Sequence, residues 1–331
     1  NVSVIITSFK DEKYLCLLLE GLSKQTIDPE KIEILLLLAS PYSENKARER
    51  LGKFANSLKY WFKPKLNRTK SLNFLVRNSL GKYLCRLDAR SHIDKDYISN
   101  LLALHSENKY ANIGGYKQPI GTNPNQEKIA NLMQHPFCFG GGLFRKKGIT
   151  TSVKTVYLGS FNKLLMPKGD WYDETFYKIS EDSDLNLRIR ENNEKILLAG
   201  NICVQYYARD NLNQFFKLCY NYGVGRGLYI IKNNSFLEWR QIVPPTIVGL
   251  VLTLVALSFI DHYYFYLLCL VLFFYFFGVV FFSIQIKRKS HLNTRFIKDT
   301  LFYCRGFIGC HIFWILGFFA SIYQYNLLKK R

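Results

Sequence analysis

Three carboxylates within four residues, Glu181, Asp182 and Asp184, stand at the head of a segment in which Leu185 and Ile189 recur at helical spacing. That places all three in the first turn of a helix opened by Ser180, where aligned backbone N–H groups favour negative charge. A carboxylate held ionised there can take a proton from a hydroxyl group, provided a cleft faces it. The same residues are also ordinary capping chemistry, so the turn gains meaning only from what the chain brings near it. A second candidate is Asp88, the sole acidic residue between Lys53 and Arg90. A lone carboxylate in such a basic stretch can hold a divalent cation or a ribose hydroxyl, although a strand-ending Asp is also a common turn former.

The elements that must position these groups alternate. Val2–Thr7 is a β-branched run of buried-strand type, followed by Asp11 and by Leu15, Leu18, Leu19 and Leu22 at helix spacing. Further strands are expected at 32–38, 58–62, 83–87 and 112–116, with helices at 43–56, 69–80 and 94–109 between them. This alternation predicts an α/β fold, a mostly parallel sheet covered by helices on both faces. Ligands of such sheets sit beyond the carboxyl ends of the strands, which selects Thr7 and Ser8, Ala39 and Ser40, and Asp88-Ala89-Arg90. Past Asn112 the order loosens. Gly114-Gly115 and Gly140-Gly141-Gly142 suggest close backbone approaches, and short strands are expected at 156–160, 195–198 and 202–206. A helix from Asn211 then runs into Tyr222-Gly223-Val224-Gly225-Arg226-Gly227, either a hinge or a loop presenting Arg226 to a diphosphate. Trp171 could stack on a sugar ring, but a buried Trp is the better expectation.

Composition narrows the partners. The 331 residues carry a formal charge of +20, a field suited to nucleotides, anionic lipid head groups or nucleic acid. Eight cysteines form no C-x-x-C pair and several lie in apolar runs, so we expect reduced core residues facing the cytoplasm. The chain opens on Asn1 inside a strand with no charged-then-apolar leader, from which we expect residues upstream and no signal peptide.

The last ninety residues differ. Stretches 242–260 and 263–286 contain no Lys, Arg, Asp or Glu and are each long enough to cross a bilayer, with Asp261-His262 at the turn between them. Lys287-Arg288-Lys289, Arg295 and Lys298 then form a basic loop expected in the cytoplasm. A third apolar stretch, 300–323, contains Arg305 and His311 and either spans or re-enters; if it spans, Lys329-Lys330-Arg331 ends up outside. The expected division is a catalytic domain over 1–235 and a membrane region over 236–331.

In order along the chain, Val2–Gln25, Arg86–Tyr97, Gly114-Gly115, Gly140–Arg145, Thr155–Phe161, Glu181–Arg188, Tyr206–Arg209 and Tyr222–Arg226 resemble glycosyltransferase family 2, in particular membrane-anchored enzymes of succinoglycan-type exopolysaccharide synthesis. The resemblance implies a GT-A fold and inverting transfer from a nucleotide-diphosphate sugar to a lipid-linked saccharide at the cytoplasmic membrane. By residue, it implies Asp182 as the base, Asp88 on a divalent cation (Mg2+ or Mn2+) or on the nucleotide, Thr7 and Asp11 or Glu12 at the nucleotide end, and Arg226 on the diphosphate; Ser40, Arg90 and Asp184 complete the expected cofactor-binding set. Two departures stand out. The second strand ends in Leu38-Ala39-Ser40 where the family has an acidic residue, and Arg90 replaces the second carboxylate of the Asp-x-Asp motif. Arg90 is therefore expected to supply positive charge to the phosphates.

Two other enzyme and non-enzyme readings compete. A processive polysaccharide synthase would carry a Gln-x-x-Arg-Trp motif, and none of Trp61, Trp171, Trp239 and Trp314 follows one. A catalytically lapsed scaffold docked on anionic membrane or on other polysaccharide assembly proteins draws support from Leu38 and Arg90. Nucleic-acid binding is disfavoured because the chain ends in apolar membrane stretches.

Overall fold

The computed structural model describes residues 1–176, 179–234, 241–290 and 295–329, so Trp239, Lys330 and Arg331 lie outside it. In chain order the strands and helices are β1 (Val2–Ser8), α1 (Glu12–Ser23), β2 (Ile32–Leu38), α2 (Glu44–Leu51), β3 (Leu58–Phe62), α3 (Arg68–Arg77), β4 (Tyr83–Asp88), β5 (Ser91–Ile93), α4 (Tyr97–His105), β6 (Asn112–Ile120), α5 (Pro124–Gln134), α6 (Pro136–Phe139), β7 (Thr151–Ser152), β8 (Gly159–Asn162), α7 (Glu181–Glu191), β9 (Ile196–Tyr207), α8 (Leu212–Asn233), α9 (Val243–Leu257), α10 (His262–Lys289) and α11 (Phe296–Lys329). Two compact units result, one of Asn1–Ile120 with Gly142–Ala208 and one of Gly121–Gly141 with Arg209–Arg331. The second unit thus takes in two segments that the expected division at 235 assigned to the catalytic domain.

The first unit is built on a nine-stranded sheet in the order β3-β2-β1-β4-β8-β6-β9-β5, with β7 paired to β9. Strands β1 to β4 pair in parallel, as their near-continuous apolar character requires when helices cover both faces. Beyond β4 the sheet is mixed: β8 is antiparallel to β4 and β6, and β5 is antiparallel to β9. The two short strands expected at 195–206 are one strand, β9, whose register against β6 shifts between Gly115 and Tyr116. Glycine is needed at 115, since a Cβ there would collide with the Ile202 carbonyl oxygen. Leu15, Leu18, Leu19 and Leu22 of α1 are fully buried against this sheet, on the stripe their spacing requires. Trp171 is also core, buried and tilted against Phe161, which removes it as a sugar platform.

His105, at the end of α4, reaches Ser160 with Nε2 at 2.9 Å from the carbonyl oxygen and stacks on Tyr83. Burial pushes its pKa down to about 4, although the Ser160 contact opposes the shift. A folded-state pKa below the unfolded value of about 6.5 means that the neutral ring stabilises the fold above that pH. The contribution, ~3 kcal/mol, is lost as pH falls from about 6.5 to about 4. Thermal unfolding of the detergent-purified protein should show this loss, and His105→Asn should flatten the curve across that window.

In the second unit the glycine-rich stretch is neither hinge nor loop. It lies inside α8, and its small residues let the backbone of α11 come close. A Cβ on Gly223 would overlap the Trp314 carbonyl oxygen, and one on Gly317 the Tyr220 carbonyl oxygen. Gly223→Ala and Gly317→Ala should each destabilise this unit by about 1–3 kcal/mol, read as a lower unfolding midpoint, despite alanine's better helix propensity. The apolar helices partly meet expectation. Helices α10 and α11 are long and apolar enough to cross a membrane, and Phe273, Phe274 and Phe277 of α10 are at least 60% exposed, as lipid-facing rings are. Helix α9, expected as a full span over 242–260, has only 15 residues and rises about 22 Å, short of a hydrocarbon core of about 30 Å. Residues 300–323 lie in the single continuous helix α11. Among the described residues the eight cysteines form no disulfide.

Candidate active site

Two carboxylates and two guanidiniums meet in the first unit where β4, α3 and α7 converge. Arg86 and Asp88 project from one face of β4 as an i, i+2 pair, Arg68 is the first residue of α3, and Glu181 the first of α7. Arg68 donates through Nη2 to both oxygens of Asp88 at 2.9 Å and through Nε to Glu181 at 2.8 Å. Arg86 donates through Nη2 to Glu181 at 2.6 Å and lies 3.4 Å from Asp88. Its guanidinium also stands over the Tyr172 ring.

Electrostatics keep all four charged. Burial opposes ionisation of Asp88, but Arg68 and Arg86, helped by Lys117, hold its carboxyl well below the usual range. Glu181 is likewise raised by burial and lowered further by the same two arginines. Burial disfavours the Arg86 cation, but Asp88 and Glu181, and also Asp182, more than offset that and raise its pKa. The contribution from Asp182 brings that residue into the same field as Asp88. Lys117, itself buried, lies between the rings of Tyr157 and Tyr206 at 4.0 and 4.1 Å.

Asp182 follows Glu181 in the first turn of α7 and is half-buried, its Oδ1 accepting the Ser183 N–H at 2.8 Å. Ser180 does not cap this helix as expected. It is buried in a left-handed conformation (φ 81°), and its hydroxyl has no partner among the described residues. A non-glycine residue held there is strained, as turns that aim functional groups often are. Asp184 is buried and turned onto Arg188 of its own helix at 3.2 Å.

The other expected residues divide. Thr7, next to last in β1, lies beside Asp88 in register, and its buried hydroxyl, like that of Ser8, has no partner among the described residues. Ser40 accepts a hydrogen bond from the Lys10 N–H at 3.3 Å, next to the same strand end. Asp11 and Arg90 come together, but onto each other: Arg90 Nε donates to Asp11 at 2.7 Å, Nη1 donates to the Ala208 carbonyl at 2.7 Å, and the guanidinium lies 4.1 Å from the Tyr14 ring centroid. Arg90 is only 6% exposed, so it serves first as an internal tie rather than the phosphate clamp its position suggested. Glu12 is exposed in the first turn of α1, and Arg226 lies on α8 in the second unit.

Arg68, Arg86 and Lys117 were not singled out from sequence, and Glu181 only as one of three first-turn carboxylates, although two signals were present. An Arg at the first position of a helix opposes the macrodipole, and an Arg inside an apolar strand must find buried partners. The divalent cation expected on Asp88 finds a poor donor set. Both Asp88 oxygens are taken by Arg68, the second motif carboxylate is Arg90, and no three His, Cys, Asp or Glu side chains gather among the described residues. One carboxylate flanked by two guanidiniums does not fit a divalent cation.

Residues 3–164 match the family described as Glycosyl transferase family 2. Over 249 residues, 72% of this chain and 76% of the relative, the sequence is 25% identical to the Methanococcus voltae dolichyl N-acetyl-alpha-D-glucosaminyl phosphate 3-beta-D-2,3-diacetamido-2,3-dideoxy-beta-D-glucuronosyltransferase. Among solved structures, the mannosyltransferase PcManGT of Pyrobaculum calidifontis in complex with GDP-Man and Mn2+ aligns over 97% of this chain and 87% of that chain, with TM-score 0.56 and 10% identity, a likeness of fold. S. aureus TarS 1-349 aligns over 68% of this chain with TM-score 0.47 and 17% identity, and the chain spans 65% of its length, just under two thirds. The mixed α/β sheet is of GT-A type. On these likenesses the chain is a glycosyltransferase, and the match to family 2 covers residues 3–164.

Proposed function

We propose that the chain is an inverting glycosyltransferase that moves a sugar from a nucleotide-diphosphate donor to a lipid-linked saccharide in cell-surface or exopolysaccharide synthesis. One observation carries the reading: the start of α7, with Asp182, and the end of β4, with Asp88, are joined through Glu181 by the same two arginines. In the reaction the acceptor oxygen bonds to the anomeric carbon on the face opposite the diphosphate. The bond to the diphosphate oxygen breaks with its electron pair on that oxygen, and the acceptor's hydroxyl proton passes to the Asp182 carboxylate. Thr7, Asp11, Glu12 and Ser40 line the nucleotide end, where the hydroxyls of Thr7 and Ser8, without a partner among the described residues, suit a polar ligand.

The lipid-linked acceptor is supported by the dolichyl-linked substrate in the name of the Methanococcus voltae relative and by the exposed apolar helices. We place the protein in the cytoplasmic membrane as a multi-pass protein with its catalytic unit inside. Lys287, Arg288 and Lys289 at the end of α10 suit the anionic inner surface. A panel of nucleotide sugars incubated with the detergent-purified protein and membrane lipid extract tests the activity, read as release of free nucleoside diphosphate. Release from one donor, dependent on the extract, is the expected result; no release from any donor would count against transfer.

A further inference from the structure

Arg68 is held on two edges and open on the third. Its Nε is taken by Glu181 and its Nη2 by both oxygens of Asp88, while Nη1 makes no hydrogen bond among the described residues. The side chain keeps 27% of its surface exposed, against 4% for Arg86 behind it. A guanidinium pinned in this way is a fixed cation with one uncommitted pair of donors, the geometry that phosphate oxygens take best. A divalent cation approaching Asp88 would have to displace Arg68 from both oxygens and settle beside Arg86, 3.4 Å away, against like charge. Arg90, where a second carboxylate would complete a metal pair, is itself a cation tied to Asp11.

We propose that Arg68 receives the diphosphate of the donor in place of a metal ion on Asp88. The inference rests on the nucleotide-sugar reading above. As the bond from the anomeric carbon breaks, its electron pair stays on the diphosphate oxygen, and the added charge falls at the Nη1 edge. Asp88 and Glu181 are then positioning residues that hold the guanidinium still, which accounts for a carboxylate whose two oxygens already accept from an arginine. Sequence position had cast Asp88 as the metal ligand and left Arg68 without a role.

The test is calorimetric titration of the detergent-purified full chain with ADP, GDP, CDP, UDP and dTDP, once in EDTA and once in Mn2+. The preferred nucleotide should bind with similar affinity in both buffers. Arg68→Ala should weaken binding in EDTA by about tenfold or more, the loss of a charged hydrogen-bonding group. Mn2+ should restore part of that loss, because Asp88 is then uncovered. Bound Mn2+, followed by electron paramagnetic resonance, should appear in the variant and not in the wild type. Should Arg68→Ala fail to fold, Arg68→Lys keeps a charge beside Asp88 without the fork, and it should show the same weakening. The wild-type comparison needs no variant at all. Wild-type binding that requires Mn2+, or unchanged binding by a folded Arg68 variant in EDTA, overturns the proposal. Binding of no nucleotide in either buffer would instead remove the glycosyltransferase reading on which it stands.

Discussion

Asp182→Asn should lower the turnover of sugar transfer by at least about a hundredfold, the lower end of what a positioned general base contributes. An amide is nearly the same size as the carboxylate but cannot accept the acceptor's proton, so the oxygen must attack as a neutral hydroxyl. The nucleotide should still bind with affinity within about threefold of wild type, because Asp182 lies on the acceptor's side of the proposed reaction and Arg68 and Arg86 remain in place. Asp184→Asn offers the comparison. Asp184 sits two residues on, but it is buried and paired with Arg188 of its own helix, so its loss should act on stability more than on turnover. Measuring kcat and nucleotide affinity for both variants separates the two. Near-normal kcat in a folded Asp182→Asn protein would remove the proposed base.

Arg86→Met should destabilise the catalytic unit by roughly 3–5 kcal/mol, the cost of leaving a buried charge partner uncompensated. Glu181 is 3% exposed and receives hydrogen bonds from Arg86 at 2.6 Å and Arg68 at 2.8 Å. Removing the deeper donor leaves one guanidinium to serve two carboxylates. The double variant Arg86→Met with Glu181→Gln should recover a large part of the loss, since the orphaned charge goes with its partner; the methionine also fills much of the arginine's volume. Because Asp88 and Glu181 have lowered folded-state pKa values, their contribution is fully present above the ordinary carboxylate range of about 4. It disappears as pH falls through the lower folded values. That acid limb lies below the window set by His105, so the two are separable in a pH series of unfolding midpoints. A double variant no more stable than Arg86→Met would show that the two groups are not coupled.

Local pattern alone determined a good deal about this protein. The β-branched run at Val2–Thr7, the apolar spacing of α1 and the alternation through Asn112 led to the parallel half of the sheet, because buried strands and amphipathic helices are read from neighbours within one turn or one pleat. The acidic first turn of α7 and the strand-end position of Asp88 were legible for the same reason. So was the apolar character of α10 and α11, which depends only on composition over about twenty residues.

Tertiary structure decided the rest, since charge partners are chosen across the fold. Arg68 and Glu181 are 113 positions apart, and Arg86 and Glu181 are 95 apart. No spacing rule reaches that far. Once Arg68 took Asp88, and Asp11 took Arg90, the apparent metal motif became a salt-bridged cluster with an arginine at its open edge. The glycines of α8 show the same limit from the other side. Glycine is locally compatible with a hinge, a loop or a helix, and only the approach of the α11 backbone selected the helix.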